Sequence, residues 1–401
     1  MAGRFSTWSS TLRQRLSSLS PSSSRMISKI SYTTLPLDTP IEEETLPFYK
    51  PEHYYPVKIG DIYETRYQVT GKLGYGAYST SWLCRDLHVE GIYIAAINST
   101  ASGRELKIYE HLARVNSTHP GQALIRELYD SFDLHGPAGQ HRCLTMGLNS
   151  RPFNLPLVKM TVKRLLLALD FFHTEANVIH TDIKTDNLML SSEDDGMLAD
   201  FAKAEAEDPS PRKQIDESRI IYQSRRFRRP SACKSYGLPI LCDFGEARIG
   251  IQQESRPFIQ PHIYRAPEII FELPWGSAAD IWNLAGLIWD LFEGEYLFDD
   301  IFDAKGGHDP FKHLARMVAL IGPPPVGFIR RSETTEQCFD PDGAWVAHEE
   351  TVVPMISLGS LEKRLAGEEK VEFIQFMMSM LKWLPEERKT AKQLLEDSWL
   401  L

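Results

Sequence analysis

The chain has 401 residues, enough for one large two-lobed unit or two to three domains with a sizeable core. Hydrophobic content of 42%, charged content of 24% and a net charge of −10 argue against a general nucleic-acid binder and suit a basic partner. Five cysteines (Cys84, Cys143, Cys233, Cys242, Cys338) without CxxC spacing read as reduced thiols, and no apolar run reaches the length of a membrane-spanning helix.

The first 35 residues carry Arg4, Arg13, Arg15, Arg25 and Lys29, many serines and no acidic residue. That composition fits a mitochondrial transit peptide or a disordered leader without an address. A globular pattern begins near residue 54. The stretch 66–87 alternates apolar and polar positions around a glycine turn and predicts two antiparallel strands, with "IYIAAI" (92–97) as a third. Leu106, Tyr109, Leu112 and Ala113 recur at helical spacing over 103–115, and 125–146 reads as two strands joined by a Gly-Pro turn.

After about residue 149 the pattern becomes helical. Val162, Leu165, Leu166, Leu169 and Phe172 share one face of a helix predicted over 157–176. "DIWNLAGLIWDLFEG" (280–294) is apolar nearly all round and reads as a buried helix, and further helices are predicted over 372–384 and 390–400. Residues 191–238, an acidic block followed by a basic one, read as a mobile polar surface insertion.

Four stretches carry chemistry. "LGYGAYS" (73–79) puts Gly74 and Gly76 between strands, where backbone amides can approach phosphates that a side chain would block; Leu73, Tyr75, Ala77 and Ser79 complete the loop. "HTDIKTDN" (180–187) has an Asp, a Lys two residues on and an Asn five on. That is the kinase catalytic-loop spacing: Asp182 to take or orient a hydroxyl proton, Lys184 to steady the transferred phosphoryl, Asn187 to hold a Mg²⁺. Phosphoryl transfer is mostly positioning and charge neutralisation, so one loop must supply a base, a cation and a metal ligand. In "LCDFGEAR" (241–248) Asp243 would chelate the Mg²⁺ that bridges the ATP phosphates. In "YRAPEII" (264–270) Glu268 is placed to pair with an arginine, with Arg388 as candidate, and Asp280 would tie down the catalytic-loop backbone.

With these motifs in this order the chain resembles the eukaryotic protein kinases. More narrowly, it looks like a fungal member of the SR-protein kinases, which phosphorylate serines in Arg/Ser-rich segments. The narrower resemblance rests on "YYPVKIGD" (54–61), "LALDFFHTEANVIHTDIK" (167–184), the divided catalytic core, "PILCDFGEAR" (239–248), "IWDLFEG" (288–294) and "WLPEERKTA" (383–391), and covers roughly residues 45–401. It implies an α+β, two-lobed protein kinase fold. Residues 1–45 would be a leader, 46–148 a shortened small lobe, and 149–401 a large lobe carrying insertion 191–238. It implies ATP and Mg²⁺ as cofactors, Ser/Thr specificity through Lys184, and an Arg/Ser-rich protein substrate. No nucleic-acid or membrane partner is expected, and a monomer is. The resemblance points to cytoplasm and nucleus, the leader to a mitochondrion.

Two departures matter. Thr181 stands where such kinases usually carry the arginine that receives an activation-loop phosphate. Ser255 is the sole hydroxyl phosphosite between Asp243 and Tyr264, so the segment is expected to be held by packing. Ile97 falls where the third strand should carry a lysine that binds the α/β-phosphates and pairs with Glu105. The intervals around it are also short. Three readings stand: Lys72 compensates, the chain is a pseudokinase scaffold, or it is a truncated version of an active kinase.

Overall fold

The computed structural model describes residues 32–77, 79–89, 93–99, 103–136, 139–146, 155–190, 196–227, 239–254, 258–347 and 349–401. The leader up to residue 31, the connector 147–154, residues 228–238 of the insertion and Ser255 lie outside the described residues. In chain order the elements are β1 (Ile62–Tyr63), β2 (Tyr67–Gly76), β3 (Ser79–Asp86), β4 (Tyr93–Ser99), α1 (Gly103–Leu112), β5 (Ser131–Gly136), β6 (Gly139–Met146) and α2 (Leu155–Asp170). They continue with β7 (Val178–Ile179), β8 (Leu188–Leu190), α3 (Gly196–Glu207), β9 (Arg212–Gln214), β10 (Ile220–Tyr222), β11 (Pro239–Leu241) and β12 (Arg248–Ile249). Four larger helices follow: α4 (Ala278–Glu293), α5 (Pro310–Ile321), α6 (Gly367–Met380) and, shorter, α7 (Ala391–Leu395). No helix among the described residues is long and apolar enough to cross a membrane.

The chain forms two compact units. The first comprises residues 1–50, 56–94 and 195–229; the second comprises 51–55, 95–194 and 230–401. In the first unit β1, β2 and β3 form an antiparallel meander, with Gly74 opposite Ser81 and Gly76 opposite Ser79. Helix α3 lies against β2 so closely that a Cβ on Gly71 would stand 2.8 Å from the Phe201 ring. The β9–β10 hairpin pairs Lys213 with Ile221 and brings Tyr222 edge-on to Trp82, with ring centroids 5.6 Å apart.

This corrects the expectation for both flanking segments. Residues 196–227 are not a mobile spacer of the large lobe but a folded part of the first unit. Nor are residues 32–45 a disordered leader: Thr34 bridges Arg212, Leu35 N–H donates to the Arg212 carbonyl at 2.9 Å, and Glu42–Thr45 form a 3₁₀ turn. The physical reason lies in pairing. The acidic triplet Glu42–Glu43–Glu44 looks solvated when read alone, and folded it is neutralised by Lys213 of the hairpin and Lys72 of β2. Phe201, Ile221 and Tyr222, sparse among polar neighbours, are all buried.

In the second unit β4 pairs with β6 and β6 with β5, all antiparallel; the backbone of Ile97 lies opposite Leu144. The apolar face predicted for α2 is buried throughout, from Val162 to Phe172. Its last turns widen into a π-helical stretch over Phe171–Ala176, closed by Asn177 in the left-handed region at φ 50°. Helix α4 is buried nearly all round, as its uniform apolarity requires, and ends at Gly294, whose φ of 79° a side chain would disfavour. Around it α2, α6 and α7 complete a single core.

Candidate active site

Strands β7 and β8 flank the catalytic loop and fix its two ends, by pairing with β12 and β11 respectively. Between them the chain must turn sharply, and Thr181 takes a left-handed φ of 69°. A threonine there is strained, so the loop needs outside restraint. Asp280, in the first turn of α4, supplies it: its carboxylate accepts the N–H of His180 at 2.8 Å, the N–H of Thr181 at 2.7 Å and His173 Nε2 at 2.9 Å. Thr181 Oγ1 donates to the Glu246 carbonyl at 2.8 Å. The hydroxyl that replaces the usual arginine therefore joins the loop to the segment after Phe244 without any phosphate.

The loop's chemical groups converge on Asp182. Lys184 Nζ donates to Asp182 Oδ2 at 2.8 Å, and Asn187 Nδ2 donates to the same oxygen at 2.9 Å and to the Asp182 carbonyl at 2.8 Å. Two donors on one oxygen hold the carboxylate in one orientation and leave Oδ1 with no hydrogen bond among the described residues. With its amide nitrogen turned to Asp182, Asn187 presents its side-chain oxygen elsewhere. The Asn187 carbonyl accepts the Cys242 N–H at 3.0 Å, which seats Asp243 beside it. Burial pushes the Cys242 thiol up to about 12, so it stays a thiol and donates to the same carbonyl at 3.1 Å.

Asp243 is exposed and also left-handed, at φ 65°, with Oδ1 accepting the Gly245 N–H at 3.2 Å. Phe244 is fully buried among Tyr109, Phe172 and His180, at centroid distances of 5.1, 5.5 and 5.5 Å. Those rings anchor the backbone that must carry a strained aspartate. The carboxylate of Asp243 and the amide oxygen of Asn187 are hard oxygen donors, a set that fits Mg²⁺ completed by phosphate oxygens and water.

Glu105 comes from α1 and is buried, whereas Lys107, two residues on, is exposed. Burial raises the Glu105 carboxyl to about 7, and the nearby negative charge of Asp243 raises it too; the Arg126 guanidinium and a hydrogen bond from the Phe244 N–H act in the other direction. In place of the motif's lysine, Glu105 accepts the Phe244 N–H and feels the nearby charge of Arg126. Arg126 itself is buried, fixed through its N–H to the Leu241 carbonyl at 2.8 Å, and its Nε has no hydrogen-bond partner. Sequence reading passed over Arg126 because a lone arginine ahead of a strand carries no periodic or motif signal. Its place directly after the apolar pair Leu124 and Ile125 was the one available hint. Next to Glu105, Arg104 extends to Glu246 at 2.8 Å and to the Gly245 carbonyl at 3.1 Å.

Further from the loop, Arg388 donates through both terminal nitrogens to Glu268, at 2.7 and 2.6 Å, and to the Ala278 carbonyl at 2.9 Å. Both side chains are buried and the guanidinium lies 5.0 Å over Trp282. Gln260, at φ 69°, donates to Asn283 Oδ1 and accepts the Ala266 N–H, which ties the end of the activation segment to α4.

In the first unit, a Cβ on Gly74 would meet nothing within 4 Å, leaving the open approach that a phosphate needs at a glycine strand. Leu73 and Ser79 are half-buried there, and Tyr75 and Ala77 are exposed. Lys72, the suggested compensating cation, is engaged elsewhere. It is 1% exposed, bonded to Glu43, 3.4 Å from Glu42 and over the Tyr75 ring at 5.4 Å.

Comparison with known proteins identifies the family. The protein kinase domain family matches residues 233–400. A serine/threonine protein kinase of Aspergillus fumigatus is 42% identical over 90% of this chain and 91% of its own length. The serine/threonine-protein kinase SRPK of Physarum polycephalum is 30% identical over the same shares, and mouse SRSF protein kinase 3 is 23% identical over 86% of this chain and 88% of its own. The catalytic loop, the Asp243–Phe244–Gly245 segment and these relatives lead to one conclusion: the chain belongs to the serine/threonine protein kinases and has their α+β, two-lobed fold.

Proposed function

We propose that this kinase transfers the γ-phosphoryl of ATP to serine hydroxyls in Arg/Ser-rich proteins. Asp182 would orient the hydroxyl and accept its proton, Lys184 would balance charge on the phosphoryl, and Asn187 and Asp243 would hold Mg²⁺. Mg²⁺ would supply neutralisation of the phosphate charge. The carrying observation is the pair of donors from Lys184 and Asn187 on Asp182 Oδ2, which leaves Oδ1 for the substrate. Glu105 would act as a positioning residue, restraining the Phe244 backbone behind Asp243. The 46–148 and 149–401 lobes remain our assignment of the kinase architecture. Glu268, Arg388 and Asp280 hold its large-lobe frame, and residues 73–79 cover the phosphates.

Substrate class rests on the net charge of −10 and on the names of the Physarum and mouse relatives. The acidic loop "FDDIFD" (298–303), whose charge would suit an Arg-rich substrate, contributes little. Asp299 is paired with Arg316 at 2.6 Å, Asp300 lies 3.5 Å from Lys312, and Asp303 accepts the backbone N–H groups of its own turn. The test is phosphate transfer from labelled ATP to an Arg/Ser peptide beside an uncharged Ser control. Preferential labelling of the Arg/Ser peptide is expected. Asp182→Asn should lower that rate by about 10²–10⁴-fold, the usual worth of a general base. An unchanged rate would remove Asp182 from the reaction. A chain showing neither transfer nor a thermal shift with Mg·ATP would be a binding scaffold.

A further inference from the structure

The first unit contains the kind of sequence the proposed active site would take. In "YQSRRFRRPS" (222–231) Ser224 is followed by Arg225, Arg226, Arg228 and Arg229. The other serines described in the folded insertion sit differently. Ser210 is buried on Glu205, and Ser218 gives its hydroxyl to Asp216 in an acidic turn. Ser224 is half-buried where residues 32–45 clasp the insertion.

That clasp is a set of charges in a row. Glu42 takes two hydrogen bonds from Ser224, one from the backbone N–H at 3.0 Å and one from the hydroxyl. Glu42 also faces Lys72 at 3.4 Å; Glu43 bonds Lys72; Glu44 accepts Lys213 Nζ at 2.8 Å. Lys72 and Lys213 are both buried, and Lys72 offers its carbonyl to the Arg225 N–H at 3.0 Å. The hydroxyl bond needs Glu42 to be an acceptor and Ser224 to be a donor. A phosphoserine reverses the second requirement. Its ester oxygen has no proton to give, and it adds close to two negative charges against the Glu42 carboxylate.

We propose that Ser224 is a phosphorylation site for this kinase's own activity, and that phosphate there opens the clasp of residues 32–45. The proposal rests on the Arg/Ser reading of the active site. Ser224 Oγ forms a bond to the γ-phosphorus of ATP, the bond from that phosphorus to the β,γ-bridging oxygen breaks, and ADP leaves with the electron pair. The hydroxyl proton passes to Asp182 of the acting active site and then to water. Because Ser224 is half-buried and bonded in the closed clasp, the reactive form is the open one. Modification then holds the segment open, since the closed form would set phosphate against carboxylate.

The experiment uses the full chain with Mg·ATP and the Arg/Ser peptide in one tube, followed by site mapping by mass spectrometry and hydrogen exchange of residues 33–45. Phosphate on both the peptide and Ser224 is expected. Exchange of 33–45 should then rise by roughly tenfold or more, which corresponds to about 1.4 kcal/mol of lost closure. Ser224→Glu should reproduce the rise without ATP, and adding Glu42→Gln should reverse it, a rescue that general misfolding would not show. Labelled peptide with Ser224 unmodified, or with Ser231 modified in its place, overturns this proposal and leaves the substrate reading intact. Labelling of neither overturns both. Phosphate on Ser224 with unchanged exchange of 33–45 overturns the opening of the clasp.

Discussion

Two of the buried ion clusters among the described residues, one in each unit, were unequally visible beforehand. In the second unit Glu268 and Arg388 both belong to kinase motifs, so the pairing of residues 120 positions apart could be expected from the sequence. In the first unit Lys72 lies beside a glycine strand, where one reading made it a substitute for the lysine missing at Ile97. Its partners instead are Glu42 and Glu43, from a segment whose neighbours look like a leader. A motif identifies a residue's partner only when the partner is part of the motif. Elsewhere a charge is claimed by whichever opposite charge the fold brings first.

The difference can be tested by breaking each cluster in turn. Arg388→Ala should have the largest effect on stability, about 3–5 kcal/mol, because it leaves Glu268 buried without its cation. Hydrogen exchange in residues 278–293 should report it. A loss below about 1 kcal/mol would mean that the pair is not what fixes α4 to its surroundings.

Glu105→Gln comes next and carries a sign. The Glu105 carboxyl lies at about 7 when folded against an ordinary 4.5. A raised acid favours the folded state while it is protonated. That contribution is complete below about 4.5 and is lost as pH rises through about 7. In EDTA the Gln variant should therefore be more stable than the parent by about 3 kcal/mol at pH 8, and the gain should fade towards pH 5. Equal stability at both pH values would place the carboxyl near its ordinary value. Arg126→Gln should push the parent's transition to still higher pH, because it removes a cation that opposes the shift.

Lys72→Met should cost about 1–3 kcal/mol in urea melts, less than Arg388→Ala, since of the two acids it abandons only Glu43 is deeply buried. If the two losses are equal, the clusters are energetically alike despite their unequal legibility. Arg104→Ala is the smallest, below about 1 kcal/mol, because its pair with Glu246 is half in water.

Much of the second unit was legible. Asp182, Lys184 and Asn187 lie at spacings that one loop imposes, and the face from Val162 to Phe172 repeats at the helical period. What was missed has a common physical character. Arg126 gains its role from burial beside Leu241 and Glu105, which no local pattern encodes. The folding of 196–227 depends on Phe201 filling the space at Gly71, on Trp82 meeting Tyr222, and on glutamates more than 150 residues upstream. Opposed charge blocks read as solvated when averaged over a window, and only tertiary pairing distinguishes the two cases. For Ile97 the strand was legible and is present, and Lys72, one suggested substitute, is committed elsewhere.

The hold of Asp280 on the catalytic loop also has a consequence in time. Asp182, Lys184 and Asn187 are synthesised first, but the carboxylate that catches the His180 and Thr181 amides is about 100 residues away along the chain. During translation the loop's strained turn cannot be stabilised until α4 has begun to emerge and fold. Up to that moment the growing polypeptide carries every side chain of its catalytic loop and none of the restraint that arranges them. A kinase whose catalytic loop is held in this way would acquire its competence late, as one event, when the helix docks beneath the loop.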